Sequence, residues 1–343
     1  MLKRSLAILA LATLLMGASP PAIQAEDWGM LFRGAHPRVL GLDGAYSLSL
    51  GGGKSLWSFG DTLIGKLKPN GDRETADMPS NTAAIVEDRD VLEGGGKARF
   101  LGKPAPVLPA AQATTSRVWP LDLAATPGKL WHYYVTIAPF GHGALDFKVV
   151  ETGITSATPG PSPAFSKPVK LWPGTAPSFG GSVMQHGGWL YAYAGGGATH
   201  LARVSPQTPD RLETYTYYAG DGRWSPRWQD ATALPGSGPE PSVRWNRHLN
   251  RFVMIYVPPF GRTIEARFAP APEGPWSEPT RIAECQPASD QAAMFYGAKQ
   301  HAQLDVDGGR QIFVSYNTNV APSQLEARPD LYWPRLVRVT FGR

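Results

Sequence analysis

The sequence has 343 residues, 33 of them Lys or Arg and 28 Asp or Glu, which gives a formal net charge of +5 at pH 7. This weak charge, with no basic runs interleaved with aromatic residues, excludes nucleic acid as an expected partner. The single cysteine, Cys285, allows no intrachain disulfide, so we expect it to be a buried apolar residue in a fold that rests on its core.

The first 25 residues predict a secretory signal peptide. Lys3 and Arg4 precede an apolar run over residues 6–16, and small residues follow at Ala22-Ile-Gln-Ala25. The run is too short to cross a bilayer, and we expect no membrane anchor. We therefore expect residues 26–343 to form a single domain that is secreted to the periplasm or exterior of a bacterium and is monomeric.

Short strands are predicted along the rest of the chain. The 38 Gly and 33 Pro residues are spread evenly, Trp and Tyr are frequent, and no long 3.6-residue periodicity is present. The first pair of strands is a hairpin from Asp43 to Asp61 with its turn at Gly51-Gly52-Gly53. A turn centred on Gly52 places the two aspartates directly opposite each other, with their Cβ atoms about 4.5–5.5 Å apart.

This hairpin pattern occurs five times. Each copy has a polar residue, a short strand, a turn rich in Gly, Asp or Asn, and an aromatic-rich returning strand; the copies span Asp43–Asp61, Asp122–Ile137, Ser182–Gly195, Glu240–Val257 and His301–Thr318. Their starts are 79, 60, 58 and 61 residues apart, a period that suits one four-stranded blade per copy. We therefore predict an all-β fold, a five-bladed β-propeller, in which the alternating segment 331–341 completes a blade begun near the N-terminus.

Residues at the five hairpin starts are expected to form a ring at one mouth of the central channel. They are Asp43, Asp122, Ser182, Glu240 and His301. Carboxylates and a histidine suit a site that handles sugar hydroxyls and a water nucleophile. Other interpretations stay open: Asp122 satisfies backbone amides, Glu240 binds substrate, tunes a neighbouring pKa or pairs with an arginine such as Arg335, and His301 is a buried structural histidine. We expect no metal and no cofactor.

Asp43 and Asp61 form the strongest candidate catalytic pair. Facing like charges destabilise a sheet, so an opposed pair is more typical of a site than of packing, although each aspartate could instead cap a turn. Paired carboxylates with different pKa values supply the acid and the base of glycoside hydrolysis. The sequence does not decide which is the acid. We expect inversion of configuration, which needs carboxyl groups about 6.5–9.5 Å apart instead of about 5–5.5 Å.

Several segments carry a resemblance to a known family. They are Leu42-Asp43-Gly44, Leu56-Trp57-Ser58-Phe59-Gly60-Asp61-Thr62, Pro79-Ser-Asn81-Thr-Ala, Trp119-Pro120-Leu121-Asp122, Glu240-Pro-Ser-Val, Tyr296-Gly-Ala-Lys-Gln-His301 and Val314-Ser-Tyr316-Asn-Thr-Asn319. With them, most of the mature chain resembles secreted bacterial proteins of the domain of unknown function family 4185, which is connected with glycoside hydrolase family 183, the endo-D-arabinanases.

The resemblance implies a five-bladed propeller that hydrolyses internal α-D-arabinofuranosyl linkages in D-arabinan, with Asp43 and Asp61 as the catalytic residues. The motif residues expected to bind this polysaccharide substrate or to support the site are Asn81, Trp119, Asp122, Glu240, His301 and Tyr316. Ala302-Gln303 departs from the Pro-Glu expected after His301 in the family pattern.

Two other functions stay open. A non-catalytic glycan-binding propeller would have several equivalent pockets between its blades. A propeller hydrolase for another furanose or for a sialic-acid-type substrate is the second alternative. The sialic-acid form would need several arginines converging on a substrate carboxylate, and the sequence does not place Arg244, Arg262 or Arg335 at the ring.

Overall fold

The computed structural model describes residues 21–94, 96–102, 104–108, 116–141 and 146–342. Most of the predicted signal peptide, residues 1–20, lies outside the described residues. Within these ranges regular structure is almost all β-strand, with one short helix, α1 (Asp88–Leu92), and a few turns of 3₁₀ helix, so the all-β prediction is confirmed. None of the described helices has the length and apolar character needed to cross a bilayer.

The N-terminal part of the chain contributes to three sheets. The strand β1 (Ile23–Met30) belongs to the last sheet of the chain. An accessory sheet has the order β2–β5–β6, and sheet 1 has the order β3–β4–β7–β8. Their strands are β2 (Val39–Leu42), β3 (Tyr46–Gly51), β4 (Lys54–Phe59), β5 (Thr62–Leu67), β6 (Arg73–Asp77), β7 (Thr82–Glu87) and β8 (Ala98–Phe100).

The remaining strands form four further sheets in chain order. Sheet 2 comprises β9 (Arg117–Thr126), β10 (Lys129–Pro139), β11 (Phe147–Ala157) and β12 (Val169–Pro173). Sheet 3 comprises β13 (Ser182–His186), β14 (Trp189–Ala194), β15 (His200–Val204), β16 (Thr216–Tyr218) and β17 (Trp224–Ser225). Sheet 4 comprises β18 (Ser242–Asn246), β19 (Arg251–Tyr256), β20 (Thr263–Ala269) and β21 (Thr280–Glu284). Sheet 5 has the order β22 (Met294–Gln300), β23 (Gln311–Asn319), β24 (Pro334–Phe341) and then β1.

Apolar clusters lie between successive sheets. The cluster between sheets 1 and 2 contains Leu56 and Leu123, and similar clusters join sheets 2 and 3, 3 and 4, and 4 and 5. Sheets 5 and 1 also share a cluster, which contains Phe313 and Trp57. Burial of one such side chain contributes about 1.5–3 kcal/mol, so these clusters fix the order of the sheets.

The first hairpin has the predicted register. Tyr46 pairs with Ser58 and Ser49 pairs with Ser55, and the register shifts only beside the turn. The turn glycines have φ values of 81°, 62° and 73°, which side chains other than glycine rarely adopt. Three glycines therefore allow the chain to reverse here, and the register of the hairpin follows from the turn.

Both arms of this hairpin pass from sheet 1 into the accessory sheet at the predicted aspartates. The Asp43 amide donates to the Asp61 carbonyl at 3.1 Å, and the Gly60 amide donates to the Asp43 carbonyl at 2.6 Å. Beyond them, Leu42 of β2 pairs with Thr62 of β5 in the same register. Asp43 and Asp61 thus lie side by side where the two strands leave one sheet for another.

The edge strands β9, β13, β18 and β22 of sheets 2 to 5 are joined by one repeated hydrogen bond. A side chain of one strand accepts a backbone amide of the next sheet: Asp122 Oδ2 from Val183 at 2.7 Å, Ser182 Oγ from Val243 at 2.8 Å, and Ser242 Oγ from Gln300 at 3.0 Å. Since a buried amide left unpaired costs free energy, these side chains stabilise the contact between neighbouring sheets. We call this layer the clip layer.

The predicted fifth hairpin was wrong in its first strand. That strand is β22, which ends at Gln300, so His301 follows the strand instead of opening it. Short 3₁₀ turns at Ala302–Leu304 and Asp307–Gly309 then form the connection to β23. β22 starts with Met294-Phe295-Tyr296, whereas each predicted copy starts with a polar residue. The fifth copy was therefore assigned to the polar segment that follows β22.

The last strand pairs with the first, as the predicted joining of segment 331–341 to the N-terminal region requires. Ile23 of β1 pairs with Phe341 of β24, and the pairing extends to Met30 and Arg335. The predicted cleavage position after Ala25 falls inside β1, and it stays a prediction. Cys285 is buried, as expected for an apolar filler.

Candidate active site

Asp43 lies just before β3, at the open end of the first hairpin. Hydrogen-bond donors surround its carboxylate. The Tyr296 hydroxyl and the Gly44 amide each donate to Asp43 Oδ1 at 2.7 Å, and the Tyr332 hydroxyl contacts Oδ2 at 3.4 Å. Oδ2 therefore has the weaker contact, and it is the oxygen that can carry a proton toward a ligand.

Desolvation, together with the nearby charges of Glu240 and Asp61, raises the pKa of Asp43 to about 7 against the lowering effects of the Tyr296 and Gly44 hydrogen bonds. A carboxyl group with this pKa is partly protonated near neutral pH. It can therefore act as a general acid at that pH.

Asp61 has a different environment. Arg117 donates to Asp61 Oδ1 through Nη2 at 2.7 Å and through Nε at 3.1 Å, and the Trp119 indole donates to the same oxygen at 3.2 Å. Burial raises the pKa of Asp61, whereas the charge and hydrogen bonds of Arg117 and the Trp119 hydrogen bond oppose that rise. Among the described residues these donors all bind Oδ1, which leaves Oδ2 of Asp61 available to a water molecule.

Glu240 is the third carboxylate of the site. The ammonium group of Lys299 donates to Glu240 Oε2 at 3.0 Å and to the Glu240 carbonyl at 3.2 Å, and it lies 4.7 Å from the centre of the Tyr46 ring. The Lys299 side chain is only 4 % exposed, compared with 33 % for Glu240. The buried ammonium group therefore holds the Glu240 carboxylate in a fixed position.

A β-bulge in β22 directs two of these partners. The register with β23 shifts between Tyr296 and Lys299, and Gly297 in this segment has a φ of 64°. A Cβ atom at Gly297 would lie 3.1 Å from Glu240 Oε2. Bulges commonly redirect side chains beside active sites, and here one extra residue lets Tyr296 reach Asp43 while Lys299 reaches Glu240.

The accessory sheet positions Tyr332. Its backbone has a φ of 64°, and its carbonyl accepts a hydrogen bond from the Leu42 amide at 2.8 Å. Arg73, fully buried in β6, donates to the carbonyl groups of Leu325, Arg328 and Leu331, which holds the preceding loop in place. Strained backbone conformations of this kind are concentrated at functional sites.

Several predicted site residues lie in the clip layer or in the interior instead. Asp122 is 2 % exposed, and its carboxylate accepts hydrogen bonds from the Leu123 and Val183 amides and from Arg244 at 2.8 Å. Asn81 accepts the amides of Val107 and Leu108 and donates to the Val118 carbonyl. These groups have their hydrogen bonds made within the protein, as the structural interpretation of Asp122 had allowed.

His301 and Tyr316 are also enclosed. The two ring nitrogens of His301 lie 2.6 Å from Ser47 Oγ and 2.8 Å from Ser315 Oγ, and its ring stacks on Trp57 with a centroid distance of 4.2 Å. Burial lowers the pKa of His301 to about 3, so the ring is neutral. The Tyr316 hydroxyl accepts the Gln286 amide at 2.7 Å. Neither side chain contacts Asp43 or Asp61.

The predicted ring is therefore divided between two levels. Asp43 and Glu240 lie at the level that we call the carboxylate site, which also includes Asp61 and Trp119. Asp122, Ser182 and His301 are more deeply buried. The sequence repeat was aligned on its polar residues, and these residues do not occupy the same hydrogen-bonding position in each hairpin. Sequence reasoning did not select Tyr296, Tyr332, Arg117 and Lys299. Tyr296 and Lys299 were part of a motif already noted, and only this membership signalled them.

A cavity of about 650 Å³ lies elsewhere, at the turn end of sheet 1. Its lining includes Gly51, Lys54, Glu87 and Arg99 and none of the predicted site residues. The polar groups there include an ion pair between Lys54 and Glu87 at 2.8 Å.

Comparison with solved structures shows a fold of the kind found in glycoside hydrolases. A protein from Bacteroides ovatus, described only provisionally as a hydrolase, matches with a TM-score of 0.72 and 16 % identity over 95 % of this chain and 93 % of that one. The family 117 glycoside hydrolase Zg3597 from Zobellia galactanivorans matches with a TM-score of 0.52 and 13 % identity over 93 % and 90 %.

A family 43 arabinoxylan arabinofuranohydrolase from Bacillus subtilis, solved with cellotetraose, matches with a TM-score of 0.52 and 13 % identity over 89 % of this chain and 64 % of that one. No curated protein matches the sequence. A family model described as a domain of unknown function, DUF5005, matches residues 26–341. The chain therefore belongs to the DUF5005 family.

Proposed function

We propose that the protein is a secreted glycoside hydrolase that cleaves internal α-D-arabinofuranosyl linkages of a D-arabinan-type polysaccharide. The observation that carries the proposal is the pair of aspartates, Asp43 and Asp61, that lie side by side where the first hairpin passes from sheet 1 into the accessory sheet. The pKa of Asp43 is raised to about 7. The glycoside hydrolase likeness of the fold supports the reaction class. The choice of D-arabinan rests on the sequence resemblance to the endo-D-arabinanases.

In the proposed reaction Asp43 is the acid and Asp61 the base. The proton on Asp43 Oδ2 is transferred to the glycosidic oxygen as the bond from that oxygen to the anomeric carbon breaks. Asp61 Oδ2 removes a proton from a water molecule whose oxygen bonds to the anomeric carbon from the opposite face, which inverts its configuration. The two carboxyl groups then exchange protons with solvent, and the starting state is restored.

We also propose that sheets 1 to 5 are the blades of a five-bladed propeller, with residues 1–25 as the signal peptide and a monomer as the active form. The apolar clusters between consecutive sheets, and between the last and the first, support this architecture. The mechanism uses protein carboxyl groups alone, so we propose that no metal or cofactor takes part.

The sialic-acid alternative receives little support from the three arginines that it would need. Arg244 pairs with Asp122, and Arg335 pairs with Asp27 at 2.5 Å. Arg262 donates to backbone carbonyls, including that of Asp290 at 2.7 Å. These guanidinium groups do not converge on one substrate carboxylate.

The test is to incubate the wild type and Asp61→Asn with D-arabinan, L-arabinan and other furanose polymers and to resolve the products by chromatography. Oligosaccharides released from D-arabinan by the wild type alone are expected, with proton NMR showing the inverted anomer first. Unchanged polymers that the protein nevertheless binds would contradict hydrolysis and favour the glycan-binding alternative. Cleavage of another polymer alone would retain the hydrolase and reject the substrate.

A further inference from the structure

Phe260 is the most exposed large apolar side chain among the described residues. Its relative exposure is 102 %, and its backbone has a φ of 58°, in the left-handed region that phenylalanine rarely adopts. Folding gains nothing from an apolar ring in full contact with water, and the backbone conformation costs free energy. A strained and exposed aromatic residue of this kind points to a ligand.

The loop that carries Phe260 is rigid and lies beside the carboxylate site. It follows β19, which ends at the same end of sheet 4 at which β18 begins, just after Glu240. Pro258 and Pro259 restrict its backbone, and the Gly261 amide donates to the Pro258 carbonyl at 2.8 Å. A Cβ atom at Gly238 would lie 3.0 Å from the Val257 carbonyl, so the loop packs on the segment that leads to Glu240.

A second exposed ring lies on the Asp61 side. Phe147 opens β11 opposite Pro139 of β10 and is 43 % exposed. Its ring meets that of Trp119 edge to face, with the centroids 4.7 Å apart, and the Trp119 indole donates to Asp61. The aromatic surface formed by Trp119 and Phe147 is therefore continuous with a proposed catalytic carboxylate.

We infer that Phe260 and the Trp119–Phe147 surface are outer sugar-binding positions, one on each side of the carboxylate site, which hold successive residues of one polysaccharide chain. The inference rests on the proposed function. A sugar ring has an apolar C–H face and polar hydroxyl edges, so it can cover an aromatic ring and leave its hydroxyl groups in water. Because Phe260 is presented by a rigid loop, binding orders little additional chain.

Phe260→Ala, Phe147→Ala and the double variant test the inference, with Leu212→Ala as the matched control for loss of an exposed apolar side chain, since Leu212 is 38 % exposed on the outer part of sheet 3. Each phenylalanine variant is expected to raise KM for polymeric D-arabinan about tenfold, with kcat nearly unchanged. A D-arabinose disaccharide cannot cover both positions at once, so each variant should raise its KM less than the KM of the polymer. Phe260→Trp keeps an aromatic ring at this position, so its KM for the polymer should equal that of the wild type.

Binding keeps the inference separate from the fate of the proposed reaction. Asp61→Asn and its Phe260→Ala and Phe147→Ala derivatives are run in native gels that contain D-arabinan. Retardation that is lost in the phenylalanine derivatives supports the inference even if the wild type releases no products. Equal migration of all variants, or an equal KM for the polymer, would overturn it.

Phe260→Gly adds a readout that a structural role would not give. Glycine adopts the observed φ without strain, so this variant should have a higher melting temperature than the wild type while its KM for the polymer rises. A lower melting temperature with an unchanged KM would overturn the inference, because Phe260 would then stabilise the fold and not bind the ligand.

Discussion

The carboxylate site and the clip layer use the same kinds of side chain in different ways. In the clip layer, Asp122 accepts two backbone amides and a guanidinium group, and it is nearly inaccessible to water. At the carboxylate site, Asp43 and Asp61 each keep one oxygen weakly contacted or free, and both are only partly buried. The carboxylates of the two regions therefore differ in the hydrogen bonds that they already make, more than in residue type or place in a repeat.

The largest effect is expected for Asp43→Asn. Asparagine keeps the size and the acceptor oxygen of the side chain but cannot donate an acidic proton, so kcat on D-arabinan should fall by about 10²–10⁴-fold. Rates of product release check this expectation. Asp221→Asn is the control, because the Asp221 side chain is 92 % exposed and should be replaceable without loss. A kcat for Asp43→Asn equal to that of the control would remove Asp43 from the mechanism.

Asp122→Asn is expected to affect stability instead. The change leaves the mostly enclosed Arg244, whose side chain is 15 % exposed, without its carboxylate partner, which should cost about 3 kcal/mol in the free energy of unfolding measured by chemical denaturation. Glu74→Gln is the control, since the ion pair of Glu74 with Lys66 is exposed and should contribute less than about 1 kcal/mol. Similar small losses for both variants would break the distinction between the two regions.

A pair of variants should shift the pH dependence in opposite directions. Because Asp43 must be protonated, kcat/KM should fall as the pH rises through about 7. The Tyr296 hydrogen bond lowers the pKa of Asp43, so Tyr296→Phe should move this fall to higher pH. The charge of Glu240 raises that pKa, so Glu240→Gln should move the fall to lower pH. Shifts of the same sign in the two pH–rate profiles would show that another group is the acid.

The smallest effect on rate is expected for His301→Asn. Loss of the Trp57 stacking and of one serine contact should lower the free energy of unfolding by about 1–3 kcal/mol, while kcat changes by less than about tenfold. Ser315→Ala, which removes one partner of the ring, should give a smaller loss of the same kind. A large fall in kcat without a loss of stability would place His301 in the chemistry and contradict its assignment to the interior.

The sequence was sufficient for features that local rules determine. The glycine turn fixed the register of the first hairpin, and the register placed Asp43 beside Asp61. It was insufficient where tertiary contacts decide. The bulge at Gly297 brings Tyr296 to Asp43, and β9 brings Arg117 to Asp61. Neither contact can be predicted from a short sequence pattern, because the two residues in each lie far apart along the chain. His301 was assigned to the ring because its polarity matched the repeat, although its partners, Ser47 and Ser315, come from two other strands.

The most direct test of the account is a carbon-13 NMR titration of the aspartate side-chain carboxyl groups in the wild type and in Asp43→Asn. Burial raises the pKa of Asp305 to about 7 as well, so two carboxyl signals should titrate near pH 7 in the wild type. The account predicts that one of them is absent in Asp43→Asn. If both persist in that variant, or if every aspartate titrates below about pH 5, Asp43 does not hold the proton on which the proposed reaction depends.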